Sequence, residues 1–171
     1  MSILVVGSVG LDTIETPSGK VDEILGGSAV HFSVSASHFS HIGLVGVVGD
    51  DFPEEHKFSL SERNINLDGL EVVPGKTFRW SGRYEGDCNA ALTLKTELNV
   101  FADFRPKIPE SWQETEVVFL ANIDPELQLH LLDQVSSPSL VVSDTMNFWI
   151  DGKLDVLKKV IARSRVFLVN D

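Results

Sequence analysis

Short apolar runs alternate with segments of helical character along most of the chain. Residues 3–6 and 44–48 are β-branched runs that glycine closes, a pattern typical of strands buried on both faces. Similar runs follow at residues 117–121, 140–143 and 166–169. The segments between them predict helices at residues 27–39, 52–63, 125–135 and 155–162. This rhythm predicts an α/β fold with a parallel sheet, whose ligands gather at the carboxyl ends of the strands.

Two stretches break the rhythm because their apolar and polar residues alternate. Residues 12–25 are predicted to form two short strands around a turn at Pro17–Lys20. Residues 77–84 and 90–100 alternate in the same way around a turn at residues 86–89. Alternation is typical of strands with one solvated face. Both hairpins are therefore predicted to form one small sheet that stands off the main one.

Composition and charge narrow the class of protein. The 171 residues are 43% hydrophobic, enough for a core of one domain or a large part of one, and the net charge is -11. This charge argues against binding to nucleic acid or to an anionic membrane surface. The single cysteine, Cys88, allows neither an intrachain disulfide nor a cysteine metal cluster. With no signal peptide or membrane span in the sequence, the expected location is the cytoplasm.

The best candidate for binding chemistry is the glycine pair before the predicted helix at residues 27–39. Gly26 and Gly27 allow a backbone to approach a ligand closely, and a helix N-terminus offers free N–H groups. Asp12 lies just past the first strand, where a carboxylate can accept hydrogen bonds from a sugar diol. The alternatives are a tight turn with close helix packing for the glycines and a local cap for Asp12.

Other motifs are less informative. VVGSVG at residues 5–10 lacks the spacing of a dinucleotide fingerprint, and an extended stretch follows it where that motif has a helix. Asp144 and Asn147 follow a predicted strand and could face a ligand or cap a helix. Three histidines, His38, His41 and His56, do not have metal-ligand spacing, and no metal site is predicted.

The order of these features resembles the PfkB, or ribokinase-like, family of carbohydrate kinases. The features follow one another as in that family: a strand, Asp12, the run GGSAVHFS from Gly26, the run LVGVVGDDF from Leu44 and a lid-like hairpin. The resemblance implies a parallel-core sheet with helices on both faces and a small β lid. It also implies that Asp12, Gly26 and Gly27 hold substrate hydroxyls. His31 stands where the family's glycine motif has asparagine, and it is expected to contact the ligand.

The lid and the later strands supply the other expected contacts. Residues 12–25 and about 76–100 would form the lid, in which Phe78, Arg79 and Trp80 could cover the substrate. Packing or contact with a second copy are the alternatives for these three residues. A homodimer through the lid strands is expected, since exposed sheet edges are usually covered. Asp144 and Asn147, which follow a predicted strand, are further candidates for substrate contact, with helix capping as the alternative.

The resemblance further implies ATP and Mg²⁺ as cofactors. Asn170 matches the first residue of the family's Asn-x-x-Glu motif, which organises magnesium and phosphates. The family's base aspartate would lie beyond Asp171, so no catalytic residue is assigned within residues 1–171, and this chain alone is expected to be inactive. The chain is interpreted as the N-terminal part of a ribokinase-like domain.

The expected activity of the intact protein is ATP-dependent phosphorylation of a sugar hydroxyl. A nucleoside kinase of the same family is an alternative, because it would share the glycine turn. A second alternative is a non-catalytic module that binds a sugar or dimerises through its lid.

Overall fold

The larger sheet of the molecule is six-stranded and parallel throughout. The computed structural model describes residues 2–86 and 91–169. With strands numbered in chain order, this sheet contains β1 (Ser2–Val6), β4 (His41–Gly49), β5 (Ile65–Val73), β8 (Val117–Leu120), β9 (Leu140–Asp144) and β10 (Val166–Leu168). Their order across the sheet is β10-β9-β8-β1-β4-β5, and every pairing is parallel. The predicted α/β architecture is confirmed.

The smaller sheet, which we call the lid sheet, has four strands. It contains β2 (Gly10–Thr16), β3 (Gly19–Gly26), β6 (Phe78–Tyr84) and β7 (Ala91–Glu97), in the order β3-β2-β6-β7. Strand β2 pairs antiparallel with β3 and parallel with β6, and β6 pairs antiparallel with β7. The two predicted hairpins therefore do share one sheet. Most of the turn predicted at residues 86–89 lies outside the described residues.

Within residues 2–86 and 91–169, five helices and two short 3₁₀ helices accompany the two sheets. The helices are α1 (Ser28–Ala36), α2 (Glu54–Ser61), α3 (Pro125–Leu132), α4 (Asn147–Gly152) and α5 (Leu154–Arg163), and the 3₁₀ helices are Asn99–Asp103 and Glu110–Trp112. Helix α3 begins sharply because the Asp124 carboxylate accepts a hydrogen bond from the Glu126 N–H at 2.9 Å, with Pro125 following the cap. Among the described residues, no helix is long and apolar enough to cross a bilayer.

Alternate side chains of the central strands supply two cores, one on each face of the larger sheet. Leu4 and Val6 of β1 belong to one core, and Val5 between them belongs to the other. The first core also takes side chains from α3 and α5, and the second takes Ala29 and Val30 from α1. Burial on both faces explains why the central strands are nearly continuous apolar runs.

Strand β5 and helix α4 are absent from the predictions made from sequence. Strand β5 reads INLDGLEVV and lies at the edge of the sheet, where only some of its side chains are buried. Polar residues are tolerated at such an edge, so no clear apolar run marks the strand. The strand predicted at residues 90–100 was too long, because β7 ends at Glu97 and a 3₁₀ helix begins at Asn99.

Candidate functional site

The candidate site lies where the carboxyl ends of the central strands meet the lid sheet. Strand β1 leads through a short connection into β2, which carries Asp12, and β3 returns through the glycine pair into α1. Asn122 follows β8, the neighbour of β1, and Asp144 ends β9, one strand further along the sheet. Because these strands are parallel, their carboxyl ends share one edge, which is the usual position of a ligand in such folds.

The glycine pair forms a cradle for the Asp12 carboxylate. The Gly27 N–H lies close enough to this carboxylate to lower its pKa. A β-carbon at Gly26 would overlap the Asp12 carboxylate, and one at Gly27 would overlap the Ser8 carbonyl. Gly27 also has φ of 104°, a conformation that favours glycine. Both positions therefore require glycine if Asp12 is to lie against the beginning of α1.

Partial burial sets the electrostatics of Asp12. Burial raises the pKa of the Asp12 carboxyl above its usual value, and the nearby His31 and the Gly27 N–H lower this pKa in part. His31 lies in the first turn of α1 and is exposed. The structure thus brings His31 within electrostatic reach of Asp12. A half-buried carboxylate of this kind gains from a ligand that donates hydroxyl protons to it.

A serine pair joins this cradle to the end of β8. The Ser8 and Ser28 hydroxyl oxygens are 3.0 Å apart, and Ser8 Oγ accepts the Ser28 N–H at 3.0 Å. The Ser28 hydroxyl donates to the Asn122 carbonyl at 3.2 Å. This chain of hydrogen bonds fixes the spacing between the connection after β1, the beginning of α1 and the end of β8.

Asn122 is a candidate site residue that the sequence interpretation missed. Its Oδ1 atom is buried and has no hydrogen-bond partner within the described part of the chain. Buried polar atoms are rarely left unpaired, so a ligand donor is a natural partner for this oxygen. The signal available in the sequence was an amide residue directly after an apolar strand, the same kind of position that marked Asp144.

Asp144 and Asn147 lie on the far side of β8 from Asp12. Asp144 is half-buried; its Oδ1 accepts the Thr145 N–H at 2.8 Å, and burial raises the pKa of its carboxyl despite that hydrogen bond. Asn147 begins α4 and is exposed. Asp144 therefore shares the sheet edge with Asn122 and the cradle, whereas Asn147 lies on a more peripheral helix.

One buried glutamine holds the ends of β8 and β9 together. The Gln128 side-chain amide lies near three main-chain carbonyl oxygens, at 3.3 Å from Leu120, 3.0 Å from Ala121 and 3.1 Å from Asp144. Gln128 is only 1% exposed. These contacts fix the carboxyl end of β9, and hence Asp144, relative to β8.

The three candidate lid residues point in alternate directions. Trp80 pairs in register with Asp12 on the neighbouring strand β2, so both side chains lie on the same face of the lid sheet. The Trp80 ring lies over Gly82, and its Nε1 donates to Thr93 Oγ1 at 3.3 Å. Phe78 shares this face and packs against Phe101, with ring centroids 5.5 Å apart.

Arg79 points to the opposite face of the lid sheet from Asp12. It forms ion pairs with Glu23 at 2.8 Å and with Asp51 at 2.9 Å. The structure therefore brings Trp80 alongside Asp12, and it engages Arg79 in contacts within the protein. A substrate contact for any of the three lid residues stays a prediction.

The residues that could hold a cofactor are few. Among residues 2–86 and 91–169, no group of three or more histidine, cysteine, aspartate or glutamate side chains could hold a metal ion. Asn170, the residue expected near magnesium and phosphates, lies outside the described residues. The described residues thus do not by themselves fit a magnesium site, and we derive no chemical step through the ion.

Comparison with solved structures identifies the architecture. The chain superposes on a nucleoside kinase of Methanocaldococcus jannaschii, an archaeal member of the ribokinase family, with a TM-score of 0.75 and 20% identity. The match covers 97% of this chain and 59% of that one. The chain has the ribokinase-like fold. The resemblance to the PfkB family expected from the sequence is confirmed at this level, and so is the predicted fold class.

Two further ribokinase-like structures illustrate the range of the match. Burkholderia thailandensis nucleoside kinase in complex with inosine has a TM-score of 0.74 at 13% identity, over 99% of this chain and 60% of that one. Ribokinase of Cryptococcus neoformans var. grubii serotype A in complex with ADP has a TM-score of 0.68 at 18% identity, over 84% of this chain and 50% of that one.

A curated relative and the family models complete the comparison. Cytidine kinase of Thermococcus kodakarensis is 27% identical over 175 residues, a match that covers all of this chain and 62% of that protein. No family model matches the chain. The chain therefore spans less than two thirds of the length of the kinases to which it is similar.

Proposed function

We propose that this chain is the substrate-binding and lid-bearing part of a ribokinase-like kinase, which transfers the γ-phosphate of ATP to a substrate hydroxyl. The observation that carries the proposal is the Asp12 carboxylate on β2, held in the Gly26–Gly27 cradle where the lid sheet meets the edge of the larger sheet. A carboxylate accepts two hydroxyl hydrogen bonds from a diol, which is the recognition element that sugars and nucleosides share.

Within this class we propose a ribonucleoside in place of the free sugar expected from the sequence. Trp80 lies in register with Asp12 on the same face of the lid, so this face carries an aromatic side chain as well as the carboxylate that would bind the diol. A base linked to ribose could contact the indole, whereas a free sugar would leave it uncovered. Nucleoside kinases among the similar proteins support the same choice.

The remaining contacts are assigned from the geometry of the sheet edge. Asp12, Gly26, Gly27 and His31 would hold the ribose, with Asn122 accepting a further hydrogen bond through its buried Oδ1. Asp144, and more distantly Asn147, would line the far side of the site. Phe78 and Trp80 would close it from above and exclude water, as lids do in transfer reactions.

ATP and Mg²⁺ are proposed as the cofactors of the intact kinase. The ADP bound to the Cryptococcus neoformans ribokinase supports the choice of nucleotide. Phosphoryl transfer depends on positioning and on charge stabilisation around the transferred group. The described residues supply substrate positioning only, so we expect this 171-residue chain to bind substrate without turning it over.

A homodimer through the lid sheet is proposed as the assembly. Val21 and Ile24 of β3 are 49% and 38% exposed, and Leu92 and Leu94 of β7 are 57% and 47% exposed. These apolar side chains lie on the two edge strands of the lid sheet, which a second copy could cover. A non-catalytic role, in which the chain only binds ligand and dimerises, would be favoured if the intact protein bound nucleoside but transferred no phosphate.

Calorimetry tests the substrate assignment directly. We expect the chain to bind cytidine or inosine more tightly than ribose, and Asp12→Ala to weaken that binding by at least tenfold. Asp22→Ala is the matched control, since Asp22 is an exposed lid carboxylate paired only with Lys20, at 2.6 Å. Equal affinity for ribose and nucleosides would favour a free sugar as the substrate. Binding unaffected by Asp12→Ala would refute the site.

A further inference from the structure

An ion-pair cluster joins the lid sheet to the rest of the protein at a point away from the proposed substrate. It consists of Glu23 on β3, Asp51 after β4, and Thr77 and Arg79 at the beginning of β6. We call these four residues the lid anchor. Glu23 and Arg79 belong to the lid sheet, Asp51 belongs to the loop that follows a central strand, and Thr77 directly precedes β6.

Arg79 is the centre of the lid anchor. Its Nε atom lies 2.8 Å from Glu23 Oε1, and its Nη1 atom lies 2.9 Å from Asp51 Oδ2. Nη1 also donates to the Thr77 carbonyl at 3.1 Å. One guanidinium therefore connects β3, β6 and the loop after β4, and its planar shape holds these groups in a fixed relative geometry.

Thr77 forms the buried side of the anchor. Its N–H and its hydroxyl both donate to Asp51 Oδ1 at 2.7 Å, and its hydroxyl oxygen accepts the Gly49 N–H at 3.0 Å. Thr77 is fully buried, while the Arg79 and Asp51 side chains are 21% and 29% exposed. Both oxygens of Asp51 are therefore used to hold the strand that enters the lid.

Glu23 connects the anchor to the binding site. Its φ of 52° is left-handed, a conformation that is unfavourable for glutamate, and it lies in the irregularity of β3 opposite the segment from Asp12 to Ile14. The Glu23 carboxylate pairs with Arg79 from this irregular position. Because Asp12 pairs with Ile24, the residue next to Glu23, a change at Glu23 would shift the strand beside Asp12.

We propose that Arg79 is a positioning residue, which fixes the lid sheet and Asp12 relative to the central sheet without touching the substrate. This inference rests on the proposed function only for the claim that the lid covers a nucleoside. The anchor itself is a property of the protein without ligand. It reassigns Arg79, which the sequence had placed among the substrate contacts, to the face of the lid sheet opposite to Asp12.

Amide hydrogen exchange without ligand tests the anchor itself. The Thr77 and Gly49 amides are hydrogen-bonded within the anchor, so Arg79→Met should accelerate their exchange by about tenfold, the effect of losing a partly buried charged pair. Arg83→Met is the matched control, because Arg83 pairs with Glu15 on the same sheet at 3.2 Å and, within the described part of the chain, forms no ion pair outside the lid sheet. Unchanged exchange of both amides in Arg79→Met would overturn the proposal.

Binding measurements separate positioning from substrate contact. We expect Arg79→Met to weaken nucleoside binding about tenfold, Arg79→Lys to do so less, and Arg83→Met to leave binding unchanged. Weaker binding without faster exchange at Thr77 and Gly49 would mean that Arg79 contacts the substrate, and it would overturn the proposal. If the wild-type chain binds no nucleoside, the proposed function fails, while hydrogen exchange still decides the role of the anchor.

Discussion

Asp12 and Gly26 approach each other so closely across the β2–β3 hairpin that the carboxylate fills the space of a Gly26 β-carbon. The Gly27 N–H also lies near this carboxylate and lowers its pKa. The glycine pair therefore sets the position of the acidic group as well as the shape of the turn. A residue with any side chain at Gly26 would have to displace the group that is proposed to bind the ribose.

Gly26→Ala should weaken nucleoside binding more than it weakens the fold. The added methyl group meets the Asp12 side chain, which can rotate away at modest cost but then leaves its binding position. We expect at least a tenfold loss of affinity by calorimetry and a change in the free energy of unfolding of about 1 kcal/mol. Gly152→Ala, where a new β-carbon meets nothing within 4 Å, serves as the control. An unchanged affinity would show that the Asp12 carboxylate does not contact the ligand.

Gly27→Ala, in contrast, should lower the stability of the fold more than it lowers the affinity for nucleoside. Gly27 has φ of 104°, and its β-carbon would overlap the main-chain carbonyl of Ser8, which cannot rotate aside. We expect a loss of about 3 kcal/mol in the free energy of unfolding, measured by urea denaturation. A loss below about 1 kcal/mol would show that the connection after β1 adjusts easily.

The central architecture was predictable because burial leaves a plain signal in the sequence. Strands β1, β4 and β8 are buried on both faces and read as apolar runs. The lid strands alternate in sequence, although the structure exposes β3 and β7 along most of their length. Strand β5 gives a weaker signal, since an edge strand needs fewer apolar residues. The fold class could therefore be predicted from periodicity, but the edge strand β5 could not.

Site residues were predictable only where a local motif marked them. Asp12 and the glycine pair lie in one hairpin, so sequence order alone brought them together. Asn122 joins them through pairing of β8 with β1, a contact between distant parts of the chain. The direction of Arg79 depended on the register of β6 against β2, which a strand's composition does not reveal.

Gln128→Leu should loosen the edge of the sheet that carries Asp144. The buried amide lies within hydrogen-bond distance of three main-chain carbonyl oxygens, and leucine of similar size would leave them unpaired. We expect a loss of about 2 kcal/mol in the free energy of unfolding. Gln134→Leu is the control, because Gln134 bonds the Pro106 and His130 carbonyls at a more exposed position, and its loss should cost less. Equal losses in the two variants would contradict the special role of Gln128.

Asp12→Asn should stabilise the fold and weaken substrate binding. This is expected because a partly buried charge that binds a ligand destabilises the folded state without ligand. Burial raises the pKa of the Asp12 carboxyl above its usual 3.8, despite His31 and the Gly27 N–H. Below pH 3.8 the carboxyl is protonated in both states and carries no charge penalty. As the pH rises through the folded-state pKa, the buried group ionises and the folded state loses stability.

The direction of this pH dependence determines which comparison of melting temperatures tests it. Thermal unfolding at pH 4 and pH 7 should show a higher Tm for Asp12→Asn than for the wild type, with the larger difference at pH 7. Asp22→Asn should show no such pH-dependent gain, because Asp22 is exposed and paired with Lys20. A difference that shrank between pH 4 and pH 7 would mean that the contacts from His31 and Gly27 stabilise the ionised carboxylate more than burial penalises it. The burial penalty on the Asp12 carboxylate would then be refuted, and the diol contact would rest on the binding of Asp12→Ala alone.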